Sequence, residues 1–364
     1  MHIDQLRIQH FRNFDEVELK PSASFNLIHG LNGAGKSSLL EALHLLGFGR
    51  SFRTNKPNSI IQDSQRSATS FCRYNVDGQI QSIGASRHKE DGLTFSVDGR
   101  KSRKISEMAR LLPMQIFTPQ SSDLIIGPPL LRRRFIDWLL FHVEPNFHLQ
   151  SARYNSALQQ RNALLKQCYG QSENRFADQD VWQTIIAQSG EYISERRQHY
   201  LNALNCELNR LYAEFKPDVE IELRYNRGWD SSESLHSSLA DKLTRDLNRG
   251  STSAGPHKAE IVFYLNGKNA SEFLSRGQLR VLVSLLLISE VRVLKSLTGK
   301  SCIFLVDDIA AELDELTREF FLDTVVNESA QVFVTAIDKN QLSFAEKYKN
   351  KKVFHVKQNH VYEE

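Results

Sequence analysis

Cysteine is scarce in this chain, with four residues among 364. Cys72, Cys168, Cys206 and Cys302 are widely separated and form no CxxC pair. This distribution argues against a zinc site and against a disulfide framework, and it is typical of proteins from a reducing compartment. Cys302 opens an apolar segment, where a small core residue is expected rather than a reactive thiol.

Long hydrophobic runs and a strong net charge are also missing. The longest apolar run, VLVSLLLIS at 281–289, is far too short to span a bilayer, and the first residues contain no apolar signal core. We therefore expect a cytoplasmic protein with no membrane partner. The formal net charge of +3 neither identifies nor opposes a nucleic-acid partner, so local basic clusters carry more information than the total.

Strand and helix patterns predict an α/β fold made of two lobes and an insertion. Residues 1–129 read as the first lobe, with a short apolar strand at 24–30, a helix at 36–47 and hairpin turns at Asp77-Gly78 and Asp98-Gly99. A strand at 114–117 follows. Residues 130–250 show helical periodicity, interrupted by a strand-like stretch at 219–225, and read as an inserted, mainly helical second domain.

Residues 251–364 read as the second lobe of the same head. A hairpin around Asn266-Gly267 precedes a long helix that ends near 297, and strands follow at 302–306, 331–337 and 351–358. Because strands alternate with helices, the sheet is expected to be largely parallel and covered on both faces.

The segment GLNGAGKS at 30–37 fits the phosphate-binding pattern G-x-x-x-x-G-K-[ST], and it lies between a strand and a helix as that pattern requires. Its glycines allow backbone N–H groups to turn onto phosphates, Lys36 reaches the β- and γ-phosphates, and the Ser37 hydroxyl is placed to bind Mg²⁺. The predicted cofactors are therefore ATP and Mg²⁺. The predicted nucleotide contacts of this loop are Gly30, Leu31, Asn32, Gly33, Ala34, Gly35, Lys36, Ser37 and Ser38.

Two carboxylates follow the apolar strand that begins at Cys302. A phosphate-binding loop needs an acidic partner at the end of a buried strand, and CIFLVDD supplies Asp307 and Asp308. We predict that Asp307 holds Mg²⁺ through water and that Asp308 polarises the attacking water as general base. With Lys36, these two residues form the predicted catalytic set.

The segment LSRGQ at 274–278 predicts a second helix N-terminus with a free hydroxyl and free N–H groups. One nucleotide has no need of two phosphate cradles within one chain. We therefore predict that Ser275, Arg276, Gly277 and Gln278 close over the γ-phosphate held by another copy, which gives a symmetric, ATP-dependent homodimer.

LSRGQ resembles the signature motif of ATP-binding-cassette ATPases, and AAELDE at 310–315 resembles their D-loop, in which Asp314 would communicate across the dimer. An ABC transporter ATPase is therefore an alternative. Arg276 in place of the commoner Gly, Thr335 where transporters carry a switch His, and the helical insertion argue against it. A monomeric P-loop kinase is a second alternative, but it would have no use for LSRGQ.

The full set of motifs resembles the RecF family of DNA replication and repair proteins, which is related to the SMC ATPases. The matching segments are FRNF at 11–14, GLNGAGKSSLLEAL at 30–43, GRSFRT at 49–54, RRRFID at 132–137, GPHKAEIVFYLNGK at 255–268, LSRGQLR at 274–280 and LVDDIAAELD at 305–314. The resemblance implies a two-lobed ABC-type head with a helical second domain and no long coiled coil. It also implies ATP-driven dimerisation on DNA, slow DNA-stimulated hydrolysis, a part in the SOS response, and work with RecR and RecO to load RecA at single-strand gaps.

The same resemblance assigns further contacts by position. Gln120 would be the Q-loop residue that senses Mg²⁺, and Thr335 would stand at the switch position. Arg12 and Asn13 would reach the nucleotide, although a polar pair on an edge strand explains them nearly as well. His257 matches a family motif without an assigned role.

Lys and Arg clusters are the expected contacts to DNA phosphates. Two clusters are predicted to bind DNA, and a third at Arg132, Arg133 and Arg134 opens an apolar helix, where some of its arginines are expected to pack internally as ion pairs. The two predicted DNA-binding clusters are Arg50, Arg53 and Lys56, and Arg100, Lys101, Arg103 and Lys104. No segment resembles a base-reading helix, so binding is expected to follow charge and DNA structure.

Overall fold

A computed structural model describes residues 1–102, 104–169, 176, 181–216 and 218–364. Arg103, one of the predicted DNA contacts, lies outside the described residues. Two compact units are present: unit 1 comprises Met1–Ser122 and Ser275–Glu364, and unit 2 comprises Asp123–Leu274. None of the described helices is both long and apolar enough to cross a membrane.

The described strands form three sheets. They are β1 (His2–Phe11), β2 (Phe14–Leu19), β3 (Phe25–His29), β4 (Ser67–Val76), β5 (Gln79–His88), β6 (Gly92–Val97), β7 (Arg100–Ser102), β8 (Met114–Phe117), β9 (Ile221–Asn226), β10 (Glu260–Leu265), β11 (Lys268–Asn269), β12 (Ile303–Val306), β13 (Gln331–Ala336), β14 (Lys351–Lys357) and β15 (His360–Glu363). Their orders are β2-β1-β4-β5-β6-β7, β11-β10-β9 and β15-β14-β3-β13-β12-β8.

The described α-helices lie between these strands along the chain, singly or in groups. They are α1 (Lys36–Phe48), α2 (Ile105–Leu111), α3 (Asp123–Ile126), α4 (Pro129–Val143), α5 (Phe147–Gln167), α6 (Gln183–Phe215), α7 (Leu235–Asp241), α8 (Leu243–Arg249), α9 (Ala270–Phe273), α10 (Arg276–Thr298), α11 (Ile309–Glu312) and α12 (Glu315–Glu328). Short 3₁₀ turns cover Pro57–Ile60, Pro119–Ser122, Pro256–Lys258 and Lys339–Lys347.

The largely parallel sheet predicted from the sequence is present in unit 1. Strands β14, β3, β13, β12 and β8 run parallel, and β15 adds an antiparallel edge. Strands β3, β12 and β13 are buried at every position. Burial at every position, with mostly apolar residues, therefore matches a sheet that is covered on both faces.

The second six-stranded sheet of unit 1 is antiparallel, and α1 packs against strands of both sheets. Leu39, Leu43 and Leu46 of α1 share one apolar core with β1 and β4. The three predicted hairpin turns are confirmed. Asp77-Gly78, Asp98-Gly99 and Asn266-Gly267 all take positive φ at both residues, as type I′ turns require.

Unit 2 extends beyond the helical segment 130–250 at both ends. Residues 251–274, which the sequence assigned to the second lobe, lie in unit 2 because β10 pairs with β9 over Glu260–Leu265. At the other end, Arg132 binds the carbonyl oxygens of Leu124, Ile125 and Gly127 and so ties α4 to the chain before it.

The arginines at 132–134 are confirmed as partly internal. Arg132 is buried and makes a two-pronged ion pair with Glu260, with donor–acceptor distances of 2.7 and 2.9 Å. Arg133 donates to the carbonyl oxygen of Ala259, and Arg134 is exposed.

His257 acquires a structural role within unit 2. The Tyr154 hydroxyl donates to His257 Nδ1 at 2.6 Å, while His257 Nε2 donates to the Thr252 carbonyl oxygen at 3.0 Å. Burial lowers the pKa of His257 to about 4, so the ring is neutral and this bonding pattern is consistent with one tautomer. Gly255 approaches the same Tyr154 hydroxyl, since a Cβ there would stand 2.4 Å from it.

A fully buried ion pair in unit 2 gives a stability prediction. Arg161 donates to Asp246 at 2.9 Å and to the Thr252 hydroxyl at 2.8 Å, and neither charged side chain is exposed. Arg161→Ala leaves the Asp246 carboxylate buried without its cation, which is expected to cost about 3–5 kcal/mol of unfolding free energy in urea titrations. Arg153→Ala, at an exposed position of the same helix, is the control and should stay within about 0.5 kcal/mol of the parent. A loss below about 1 kcal/mol for Arg161→Ala would contradict this account.

Candidate nucleotide-binding site

The loop of residues 30–37 leaves β3 and enters α1, as predicted. Gly30 has φ +151°, and a Cβ at this position would stand 2.3 Å from the Val356 carbonyl oxygen. Gly35 has φ +116°, and a Cβ there would stand 2.6 Å from the Phe14 ring. Both positions therefore exclude side chains, and the backbone can wrap closely around an anion.

Lys36 lies within this loop rather than pointing into solvent. Its ammonium donates to the carbonyl oxygens of Gly30 at 2.6 Å and Leu31 at 3.1 Å. Burial lowers the pKa of Lys36, and Asp308 and Asp307 oppose that shift. A partly desolvated ammonium beside inward-turned N–H groups is suited to bind phosphate.

Asp307, Ser37 and Thr335 meet at the end of β12. The Ser37 hydroxyl donates to Asp307 Oδ1 at 2.9 Å, and the Thr335 hydroxyl donates to the same oxygen at 2.8 Å. Burial raises the pKa of Asp307, while these two hydrogen bonds act against the increase. A carboxylate and a hydroxyl in contact form a hard oxygen donor set, so these residues fit the predicted Mg²⁺.

Asp308 is held in an unusual backbone conformation next to this group. Its φ is +52°, and its amide donates to the Thr335 hydroxyl at 2.8 Å. Its buried Oδ1 atom has no hydrogen-bond partner among the described residues. The side chain lines the cleft beside the loop, so the carboxylate is placed to accept a proton from a molecule bound there.

These residues open onto one cleft of about 650 Å³. Its predicted members are Arg12, Asn13, Asn32, Gly33, Gly35, Lys36, Ser37, Ser38, Asp307, Asp308 and Thr335. Gly30, Leu31 and Ala34 belong to the loop but do not line the cleft, and Leu31 is 76% exposed. Sequence reasoning missed Ser59, Ile61, Gln62, Asp63 and Ser64, which also line it. This stretch matches no motif, so the sequence contains no signal for its position.

Arg12 lines the cleft, but its guanidinium is already bound. It makes a two-pronged ion pair with Glu41, with distances of 2.8 and 2.6 Å, and donates to the Ser59 carbonyl oxygen at 2.7 Å. Glu41 is completely buried in α1. Arg12 therefore neutralises the negative charge of the buried Glu41 carboxylate. Asn13 donates to the Ala34 carbonyl oxygen and thus contacts the backbone of the phosphate loop.

Arg53 lies at the cleft, although the sequence assigned it to DNA binding. Its side chain lines the cleft and stands 3.7 Å from Glu41, the carboxylate that pairs with Arg12. Its positive charge also opposes the increase in the pKa of Asp307 that burial causes. Arg50 and Lys56 are exposed nearby in sequence, and the Arg50 carbonyl oxygen accepts from His44.

Gln120 and Asp314 do not line the cleft. Gln120 is exposed in the 3₁₀ turn that follows β8. Asp314 is an exposed N-cap of α12, where it accepts from the Thr317 amide at 3.0 Å and the Thr317 hydroxyl at 2.8 Å. The first of these bonds is the main reason that the pKa of Asp314 is lowered. Gln120 is therefore not at the single-chain cleft where it was expected to sense Mg²⁺, whereas the expected contact of Asp314 across a dimer stays a prediction.

The segment Ser275–Gln278 begins α10, as predicted, and lies outside the cleft. The Ser275 hydroxyl accepts from the Gln278 amide at 3.3 Å, and Gln278 Oε1 accepts from the Ser275 amide at 2.9 Å. This is a capping box at the start of a 23-residue helix. All four residues of the segment are exposed.

The second predicted DNA-binding cluster lies at the edge of the antiparallel sheet. Arg100 and Lys101 belong to β7, Lys104 follows it, and all three are exposed. Within the described part of the chain, none of these three side chains takes part in an ion pair.

Comparison with known proteins identifies relatives along the full chain. The model of the family "RecF/RecN/SMC N terminal domain" matches residues 2–361. A protein of Pseudoalteromonas atlantica named "DNA replication and repair protein RecF" is 45% identical, with all of both chains covered. A protein of the same name from Shewanella woodyi is 37% identical, over 98% of this chain and 97% of the relative.

Solved structures agree with these matches. "The recombination mediator protein RecF-ATP in RecFOR pathway" superposes with a TM-score of 0.89 at 26% identity, covering 100% of this chain and 97% of the other. The corresponding RecF-ATPrS structure gives a TM-score of 0.87 at 26% identity, covering 100% and 98%. An Smc head domain from Pyrococcus furiosus shares the fold, with a TM-score of 0.57 at 16% identity and coverage of 100% and 96%.

Proposed function

Because the chain belongs to the RecF family of DNA replication and repair proteins, we propose that it is an ATP-gated DNA-binding protein. It binds ATP and Mg²⁺, dimerises on ATP and hydrolyses it slowly when stimulated by DNA. It acts in the cytoplasm at gaps between single- and double-stranded DNA, where it works with RecR and RecO to load RecA, and it contributes to the SOS response. Its head has the ABC-type ATPase fold that the RecF and Smc structures share.

One observation carries the nucleotide part of this proposal. The phosphate loop, Asp307, Asp308 and Thr335 converge on one cleft, whereas Ser275–Gln278 is exposed and stands apart from it. An exposed helix N-terminus is an anion site that this chain's own cleft does not use. A second copy related by two-fold symmetry supplies the missing side, and the exposed Asp314 is then available to contact that copy.

The residues of the cleft divide the work of ATP hydrolysis among them. The loop amides and Lys36 bind the phosphates. Ser37 and Asp307 would hold the Mg²⁺, which would supply positive charge next to the phosphates. Asp308 accepts a proton from the attacking water. Thr335 positions both aspartates, because its hydroxyl contacts Asp307 and the Asp308 amide. Arg53, at the cleft wall, adds positive charge near the phosphates.

DNA contact is assigned to the cluster at β7. Arg53 lies at the nucleotide cleft and Arg132 and Arg133 bind partners inside unit 2, so these arginines are less available to a phosphate backbone. Arg100, Lys101 and Lys104 are exposed and have no described ion-pair partner. Side chains of this kind bind phosphates through charge and release counterions, with little dependence on base sequence.

Neutralising this strand tests the DNA assignment. The double variant Arg100→Gln/Lys101→Gln is expected to weaken binding to gapped DNA and to reduce the slope of log K against log salt by about 1.8, since each lost phosphate contact removes about 0.9. Titrations of gapped, single-stranded and duplex DNA at several salt concentrations, with and without ATP, measure both quantities. Arg7→Gln is the control, because Arg7 lies on β1 of the same sheet and is already paired with Glu18 at 2.8 Å. An unchanged slope in the double variant would mean that Arg100 and Lys101 do not contact DNA phosphates.

The transporter alternative is not favoured. Arg276 stands at the signature position. The Thr335 hydroxyl donates to the Asp307 carboxylate and accepts from the Asp308 amide at the position where a transporter would carry a switch His. The RecF structures cover 100% of this chain, so the residues of unit 2 also match a part of those structures.

A further inference from the structure

Two histidines and a carboxylate meet on the opposite side of β3 from β13. His29 ends β3, His355 lies beside it in register on β14, and Glu364 follows β15. The two imidazole rings stack with centroids 4.6 Å apart. Glu364 Oε1 lies 3.3 Å from His29 Nε2 and 3.6 Å from His355 Nδ1. We infer that His29, His355 and Glu364 form a binding site for Zn²⁺ or a similar borderline divalent cation.

The spacing of the three ligand atoms supports this assignment. Tetrahedral zinc with bonds of about 2.0–2.2 Å holds its ligands about 3.3–3.6 Å apart. The two contacts of Glu364 Oε1 have these lengths, and all three ligand atoms lie within 4.8 Å of one another. An imidazole nitrogen binds a metal in the plane of its ring, so the two rings would rotate out of their stacked arrangement to share one cation, and water would complete the fourth position.

The state of His29 also suits a metal ligand. Its Nε2 atom is buried and has no well-aligned hydrogen-bond partner among the described residues. Burial lowers the pKa of His29, and Glu364 opposes this shift. A neutral imidazole beside a carboxylate is a common donor set for zinc. The second oxygen of Glu364 is held by Lys339 at 2.7 Å, which leaves Oε1 directed at the two rings.

The position of the site indicates a structural role. His29 immediately precedes Gly30, and the Glu364 amide donates to the Val353 carbonyl oxygen on β14. A cation at this place joins the end of β3 to β14 and to the residue after β15. It therefore anchors the strand from which the phosphate loop leaves, without belonging to the nucleotide cleft.

Metal titration of the full chain, in the absence of nucleotide, tests the site. With Zn²⁺ and a competing chromophoric chelator, we expect one tight equivalent per chain. Loss of a ligand in His355→Ala or Glu364→Gln is expected to weaken Zn²⁺ binding at least about 100-fold. This is more than the loss caused by removing a residue that only hydrogen-bonds to a metal ligand. Co²⁺ is expected to give the visible absorption of a tetrahedral complex with the parent protein and to lose it in both variants. His360→Ala is the matched control, an exposed histidine on β15, and should change neither signal.

Glu364→Gln is the second test variant because it should still fold. Glu364 is at the surface, so the substitution leaves the core intact. Zn²⁺ is expected to raise the thermal midpoint of the parent and of His360→Ala, and to leave the two ligand variants unchanged. Equal zinc affinity in His355→Ala and the parent, or no tight equivalent in the parent, would overturn the inference. Neither result bears on ATP binding, so the proposed function is tested separately.

Discussion

Asp308→Asn is expected to lower the rate of ATP hydrolysis about 10²- to 10⁴-fold while ATP still binds. The substitution keeps the size of the side chain but removes the basic oxygen that would accept a proton from the attacking water. The buried Oδ1 atom of Asp308 has no described partner, so the loss should reflect chemistry more than broken contacts. Single-turnover hydrolysis and nucleotide titration, measured side by side with DNA present, separate the two effects.

Asp63→Asn is the control for this experiment, because Asp63 is another carboxylate that lines the same cleft and has no predicted catalytic role. It should change hydrolysis by less than about threefold, a difference of roughly 0.6 kcal/mol in activation free energy. If Asp308→Asn turned over ATP at the parental rate, the general base would have to be sought in another group of the cleft or in a second copy of the chain.

Ser275→Arg is expected to abolish ATP-dependent dimerisation at concentrations where the parent protein dimerises. The long cation at the start of α10 would occupy the place of the γ-phosphate bound by the partner copy. A 100-fold weaker dimer corresponds to about 2.8 kcal/mol. ATP binding by the monomer is expected to persist, because residue 275 does not line this chain's own cleft. Sedimentation velocity with and without ATP measures the dimer, and nucleotide titration measures the monomer.

The same substitution also removes an N-cap, which costs about 1 kcal/mol by itself. Ser234→Arg isolates that cost. Ser234 caps α7 through the same kind of bond, accepting from the Ser237 amide at 3.0 Å, but belongs to no signature motif. It should lose a comparable amount of stability and still dimerise. A normal ATP-dependent dimer in Ser275→Arg would remove the support for a composite site.

Much of the nucleotide cleft could be predicted because each of its two main motifs is a short contiguous segment of the chain. The glycines of 30–37, Lys36 and Ser37 act through local backbone geometry, and a buried strand ending in Asp307 and Asp308 is visible as a pattern. The capping box at Ser275 is local as well. The three type I′ turns follow for the same reason, since Asp-Gly and Asn-Gly adopt positive φ without help from distant residues.

Side-chain partners were predicted less well. Arg12 was expected to reach the nucleotide or to form a polar pair on an edge strand; it lines the cleft, and its guanidinium also binds Glu41 and the Ser59 carbonyl oxygen. Arg53 was assigned to DNA and lies at the cleft. Gln120 was placed near Mg²⁺ and is exposed in a turn that does not line the cleft. A long polar side chain takes whichever partner the folded backbone brings within reach, and that partner can be anywhere in the sequence.

The sequence by itself determined which segments form strands, helices, turns and the phosphate loop, because these depend on neighbours a few residues apart. Only the tertiary structure decided that β3 lies between β14 and β13. That order places Thr335 against the two aspartates on one side and His355 against His29 on the other. Strand order is set by burial and hydrogen bonding across more than 300 residues, and no local pattern records it.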